Sequence, residues 1–286
     1  MWWTWVIASA VSDVRGALAR DDVSAAQTSC ASARTQSAEG LEACSWIARY
    51  LLAHERYPEA LSAATTVRVE AEALLTKRAV DADTHLPVAL GAALEVQAQS
   101  LAATGDRQQA TALLERALGR YEKTSIATRL QKNLNLLTLE GKAAPALMLT
   151  PTLTDTKVVL EKGHPTLLFF WAHWCPDCKQ AMSDVAELRR MYPKLLVIAP
   201  TQLYGFAAGG NEASAPEELA HMQEVWRTAY APLSDLAAPT SAANFVRFGA
   251  SSVPTLVLID ATGKVARYHP GKMDRAALTA AVAKLF

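Results

Sequence analysis

The sequence predicts two domains: an all-α half at residues 1–140 and an α/β half at 155–286, with a linker at 141–154. Three observations carry this reading. The first 140 residues are rich in alanine, almost free of proline, and space their apolar positions as helices do. Pro145 and Pro151 then break any helix across the linker. Beyond them come short continuous apolar runs, Thr166–Trp171, Lys194–Ala199 and Thr255–Asp260, which suit strands buried on both faces. A length of 286 residues accommodates two domains of ordinary size, and 51% hydrophobic residues supply a core for each.

Bulk composition excludes several functions. Lys plus Arg equals 28 and Asp plus Glu equals 28, so net charge gives no reason to expect nucleic acid or an anionic membrane as partner. No apolar run reaches the roughly 18 residues of a membrane span. Four cysteines are too few for a disulfide scaffold. Met1-Trp2-Trp3-Thr4-Trp5-Val6-Ile7-Ala8-Ser9-Ala10 reads either as the first helix or as a secretory-signal remnant with a small-residue end.

In the helical half, Glu55-Arg56-Tyr57-Pro58-Glu59-Ala60-Leu61 and Thr104-Gly105-Asp106-Arg107-Gln108-Gln109-Ala110 each open the second helix of a pair. Ala60 and Ala110 are the small residues of these openings, and Ala26 marks a weaker first copy 34 residues before Ala60. The pattern resembles degenerate tetratricopeptide repeats, with the 120–140 stretch as a closing helix. Such stacked pairs present a concave surface, which implies recruitment of a peptide or protein, or assembly into a homodimer. In this register Cys30 and Cys44 face each other on neighbouring helices. They are either a structural disulfide or two buried thiols, depending on the compartment.

In the α/β half, the Thr166–Trp171 strand ends at Cys175-Pro176-Asp177-Cys178. Apolar or small residues at Cys178, Ala181, Met182, Val185 and Leu188 then mark one helix face. The two cysteines thus sit where a strand passes into a helix N-terminus, whose free N–H groups and dipole favour a thiolate at Cys175. Pro176 suits the first turn, and Cys178 lies close enough to close a small disulfide ring. The competing reading, half a zinc site, lacks further ligands at suitable spacing, so no metal is expected. Strand–helix–strand predicts that Thr166–Trp171 and Lys194–Ala199 run parallel. The Gln202–Gly210 loop and a helix from about Pro216, with Leu219, Met222, Trp226 and Ala229 inward, read as an insert shaping the rim of the site. A short helix at 241–248, a hairpin about Ala261-Thr262-Gly263, and a final helix capped by Asp274 complete the chain.

Phe169-Phe170-Trp171-Ala172-His173-Trp174-Cys175-Pro176-Asp177-Cys178, Ser252-Val253-Pro254-Thr255 and Gly263-Lys264-Val265 together resemble the TlpA-like thiol–disulfide oxidoreductases of the thioredoxin fold, over residues 145–286. The resemblance implies catalysis by Cys175 and Cys178 and a cis-proline at Pro254. It also implies a groove bordered by Trp174, Pro176, Asp177, Val253 and Thr255. Further implications are protein thiol or disulfide substrates, a redox partner protein, no cofactor, a reductive direction, and a periplasmic or other extracytoplasmic location, with the cytoplasm as the alternative. Where thioredoxins proper often hold a buried aspartate, this chain has Phe169. His173 reads as an exposed bystander. His54, His85, His164, His221 and His269 have no ligand-like spacing, and Trp171 and Trp226 read as core. A second function class stays open: an interaction scaffold in which the helical array works and the redox fold is a platform.

Asp177 places a carboxylate in the first turn, beside the thiol that the helix end favours as an anion. Asp177→Asn is therefore expected to lower the Cys175 pKa. Thiolate absorbance across a pH titration checks this, and an unchanged midpoint removes Asp177 from the chemistry.

Overall fold

The computed structural model describes residues 9–34, 37–158 and 163–286. The chain forms two compact units, 1–134 and 135–286. Residues 1–8, read as helix or signal remnant, lie outside the described residues.

The first unit holds α1 (Ala10–Leu18), α2 (Val23–Ala33), α3 (Ala38–Ala53), α4 (Tyr57–Leu74), α5 (His85–Ala103), α6 (Arg107–Tyr121) and the first part of α7 (Ala127–Thr138). Side-chain caps start four of them. Ser9, Asp22, Ser37 and Asp106 each accept a backbone N–H three residues on, satisfying a donor that the helix leaves free. Asp83 accepts the N–H groups of His85 and Leu86 at the start of α5. Ala26, Ala60 and Ala110 are fully buried on α2, α4 and α6. A small residue at each of these places lets the second helix of a pair press against its neighbours.

The closing helix expected over 120–140 is interrupted. α6 ends at Tyr121 and α7 begins at Ala127. Between them the Thr124 hydroxyl donates to the Tyr121 carbonyl, and the Ser125 hydroxyl donates to Asp81 at 2.5 Å. Short polar side chains offer local partners that compete with the helical ladder.

Gly40 explains how α2 and α3 approach. A Cβ there would stand 2.1 Å from the Ala33 carbonyl oxygen, so only glycine permits this crossing. Cys30 lies one turn back from Ala33 and Cys44 one turn on from Gly40, so the crossing draws the two cysteines together. Their Cα atoms are 5.1 Å apart and their sulfurs are bonded.

The second unit is built on a four-stranded sheet. Its strands are β1 (Thr166–Phe170), β2 (Leu196–Ile198), β3 (Thr255–Ile259) and β4 (Val265–Pro270), in the order β2-β1-β3-β4. The β1–β2 pair is parallel, joined through α8 (Pro176–Met191). The β1–β3 and β3–β4 pairs are antiparallel. Side chains alternate between two cores. Leu167, Phe169 and Trp171 pack on one face with α8, Met222, Trp226, Leu278 and Val282. Leu168 and Phe170 pack on the other with Phe245, Phe248, Val257 and Tyr268. Helices thus cover both faces of β1, which is why its sequence is apolar throughout. The remaining helices are α9 (Ala215–Ala229), α10 (Ala242–Phe248) and α11 (Arg275–Ala283). At the edge, β4 buries Val265 and Tyr268 and exposes Ala266 and Arg267. Arg267 pairs with Glu140 at 3.4 Å.

Residues 141–154, expected as a linker, are extended chain tied into this second unit. Gly141 donates to the Val265 carbonyl, Ala144 to Gly263 and Leu153 to Ala238, and Leu153 is buried. Proline kept the stretch from being helical, but its backbone groups still needed partners and found them along the sheet unit.

The Cys30–Cys44 bond closes a loop of 14 residues, for which chain entropy gives about 3 kcal/mol. The Cys30→Ala/Cys44→Ala double variant is expected to lose about 2–3 kcal/mol in urea unfolding. A non-reduced peptide map of protein made in an oxidising compartment should contain the linked peptide, and its absence ends the disulfide.

Candidate functional site

The site forms where β1 stops. In the β1–β3 register Phe169 faces Leu256 and Phe170 faces Thr255. Extending that antiparallel pairing carries the chain after β1 to the chain before β3, and so brings the Cys175 loop opposite Val253–Pro254. The Val253–Pro254 peptide is cis, and Cys175 Sγ lies 3.5 Å from the Val253 carbonyl oxygen.

Cys175 is the N-cap of α8, with extended backbone. Its sulfur accepts the Cys178 N–H at 3.0 Å and is bonded to Cys178 Sγ. Pro176 takes the first helical position, where no N–H is needed. Both cysteines are buried, and Asp177 is exposed on the first turn. A thiolate at Cys175 would therefore receive a backbone N–H and the positive end of α8.

The segment before Cys175 is held from several sides. Thr201 Oγ1 donates to the Trp171 carbonyl at 3.1 Å, Trp171 Nε1 donates to Ala199 O at 3.1 Å, and Tyr230 OH donates to Ala172 O at 3.4 Å. Trp171, Trp226 and Tyr230 stack on one another with centroids 4.7–5.3 Å apart. Burial pushes the Tyr230 and Tyr204 hydroxyls well above the ordinary phenol value, so both stay neutral donors.

His173 departs from expectation. It is 2% exposed, not a surface bystander. Its ring is enclosed by Tyr204, Phe206 and His221, with centroids 5.2–5.8 Å away. Its Nε2 lies 3.3 Å from Glu218 Oε1, and Glu218 is 1% exposed. The Glu218 carboxyl also accepts the N–H groups of Tyr204 at 2.6 Å and Gly205 at 2.8 Å. Gly205 has φ +83°, and that left-handed turn aims two consecutive donors at one acid. One buried acid from the insert thus holds both the insert loop and the residue two before Cys175.

The rim follows from this anchoring. Trp174 is 47% exposed and packs edge-on against Tyr204, with Phe206 beside it. Val253 is half-buried across the groove. Thr255 was expected to border the groove but is fully buried; its hydroxyl donates to Ser252 O at 2.7 Å and closes the turn before β3. Phe169 is fully buried in the apolar core, so no acid occupies that place. Among the described residues no group of His, Cys, Asp and Glu has a metal-holding arrangement.

Residues 154–286 match the family described as thioredoxin-like domain. The thioredoxin-like protein YneN of Bacillus subtilis (strain 168) is 30% identical over 142 residues, which is 48% of this chain and 74% of that protein. The chain belongs to the thioredoxin-like family. Its thioredoxin-like unit also resembles solved structures. One is a putative thiol:disulfide interchange protein DsbE from Chlorobium tepidum, at 22% identity and TM-score 0.39 over 51% of this chain and 96% of that one. Another is a secreted Mycobacterium tuberculosis disulfide oxidoreductase, at 19% identity and TM-score 0.34 over 43% of this chain and 84% of that one.

Glu218 in the thioredoxin-like unit went unread in the sequence, yet a signal existed. Glu218, Met222 and Trp226 are spaced four apart on α9, the spacing of one buried stripe, and all three are buried. Reading the stripe from Leu219 missed its polar first member.

Burial is the largest influence on His173 and pushes it below the ordinary imidazole value; Glu218 partly offsets this and His221 adds to it. With the folded pKa below the unfolded value of about 6.5, the unfolded chain binds the proton first as pH falls. Stability is therefore complete above about pH 6.5 and declines below it toward the folded pKa, by at most about 1.4 kcal/mol per pH unit for one proton. His173→Gln should flatten that part of the pH dependence of urea unfolding. An identical profile in the variant refutes the assignment.

Proposed function

We propose that this chain is a thiol–disulfide oxidoreductase acting on protein substrates through Cys175 and Cys178. The observation that supports it most directly is the pairing of two sulfurs within bonding reach at the first turn of α8, with the cis Val253–Pro254 turn opposite.

In the reductive direction the Cys175 thiolate attacks one sulfur of a substrate disulfide. A mixed disulfide forms, and the departing substrate thiolate takes a proton. Cys178, once deprotonated, attacks Cys175 Sγ and expels the second substrate thiol. Two electrons have then passed to the substrate, and the Cys175–Cys178 disulfide remains. A partner dithiol must reduce that bond for the next turnover. The Cys178 N–H at Cys175 Sγ and the helix end both stabilise the attacking anion. The Val253 carbonyl, 3.5 Å from Cys175 Sγ, is a backbone group with which a substrate strand could pair.

The helical unit, in this reading, recruits a partner or mediates assembly. A bonded Cys30–Cys44 pair fits an oxidising compartment and so an extracytoplasmic location. Among the described residues no helix is long and apolar enough to cross a membrane. The division into a helical domain and a thioredoxin-like domain is part of the same proposal. The second reading, a scaffold whose redox fold is idle, draws on the extent of the helical unit.

Cys175→Ser is expected to reduce catalysed disulfide reduction by at least about a thousandfold, since the variant cannot form the Cys175–Cys178 bond that completes the exchange. Turnover of a protein disulfide by wild type and variant checks it. Equal rates leave the scaffold reading.

A further inference from the structure

The helical unit carries a group of cations that its own carboxylates do not satisfy. α1, α3 and α5 pack side by side, and the first part of α7 meets α5 through Arg129, whose side chain lies against Gly91. On these helices stand Arg15, Trp46, Arg49, Arg129 and Lys132. The guanidinium groups of Arg15 and Arg49 each stack on the Trp46 ring, 4.5 Å from its centroid. Two carboxylates are near, and both are engaged. Glu95 takes Arg129 at 2.7 Å and Lys132 at 2.5 Å. Glu42 lies 2.7 Å from His85 Nδ1. Among the described residues neither Arg15 nor Arg49 makes an ion pair, and Trp46 Nε1 and Arg49 Nη2 are buried donors without an acceptor.

Buried donors are nearly always paired, so orphaned ones need an account. Burial, and then the nearby Arg129 charge, push Arg49 down to about 10. A cation so placed is short of negative charge. The site therefore supplies donors, positive charge and an aromatic platform, and lacks an anion.

We propose that the Arg15–Trp46–Arg49–Arg129 face of the helical unit docks an acidic peptide segment, with one carboxylate seated against Arg49. This deepens the recruitment role proposed above and rests on that reading. A partner's acidic side chain would add charge-assisted hydrogen bonds to Arg49, and its apolar neighbours would lie on Trp46. Nucleic acid fits less well. Arg129 and Lys132 are already paired with Glu95, which leaves no run of free cations for a polyphosphate, and the chain as a whole has net charge zero.

The test titrates the full chain with a fluorescent polyglutamate peptide, followed by anisotropy at low salt. A glycine–serine peptide and a single-stranded oligonucleotide serve as comparisons. Saturable binding that weakens as salt rises is expected. Arg49→Met, with helicity verified by circular dichroism, should weaken it at least about tenfold, the factor for one lost charge-assisted bond. Arg15→Gln lies at an exposed position, leaves the fold intact, and should weaken it severalfold even where Arg49→Met fails to fold. Unsaturable binding, equal affinity for the glycine–serine peptide or the oligonucleotide, or undiminished binding by Arg15→Gln overturns the proposal. The exchange reaction is judged separately by the Cys175→Ser comparison, so either claim can fail while the other stands.

Discussion

The position of the Cys175–Cys178 pair depends on where β1 is made to stop. A strand covered on both faces has no tolerance for displacement, because its alternating side chains fill two separate cores. The backbone beyond it is then pinned by carbonyls of Trp171 and Ala172 that accept hydroxyl donors from Thr201 and Tyr230. Cys175 inherits its position from that anchored end, and α8 supplies the electrostatics. The proposed chemistry resides in two sulfurs, but their placement is decided by apolar packing several residues upstream.

The insert contributes in the same way. Glu218 satisfies two backbone donors and stands 3.3 Å from the His173 imidazole, so a loop containing three glycines gains one fixed attachment. Burying an acid carries a desolvation cost, and here every available oxygen has a donor to offset it. A loop that might have moved freely instead presents Tyr204 and Phe206 as a settled border beside Trp174.

Much of this was legible in the sequence because it is local. The two-cysteine spacing, the apolar run of β1, the Pro176 helix start and the Asp274 cap each announce themselves within a few residues. Ala26, Ala60 and Ala110 were read as small residues on second helices of pairs, and each is buried on its helix. What sequence reasoning missed depends on distant partners. His173 is buried only because an insert some forty-five residues later folds over it, and nothing in its neighbours encodes that. Residues 141–154 looked like a connector because they lack periodicity, whereas their order comes from backbone bonds to Ala238, Gly263 and Val265. The break between α6 and α7 hinges on Asp81, over forty residues away.

The edges of the sheet bear on how copies of this protein could meet. β2 has only three residues, and β4 exposes Arg267 and finishes at Pro270. A neighbouring chain seeking to lengthen the sheet would find too short a template on one side and a cation followed by a residue without an N–H on the other. Self-association by strand addition is thereby discouraged, and both borders of the sheet stay closed to a second copy of the same chain.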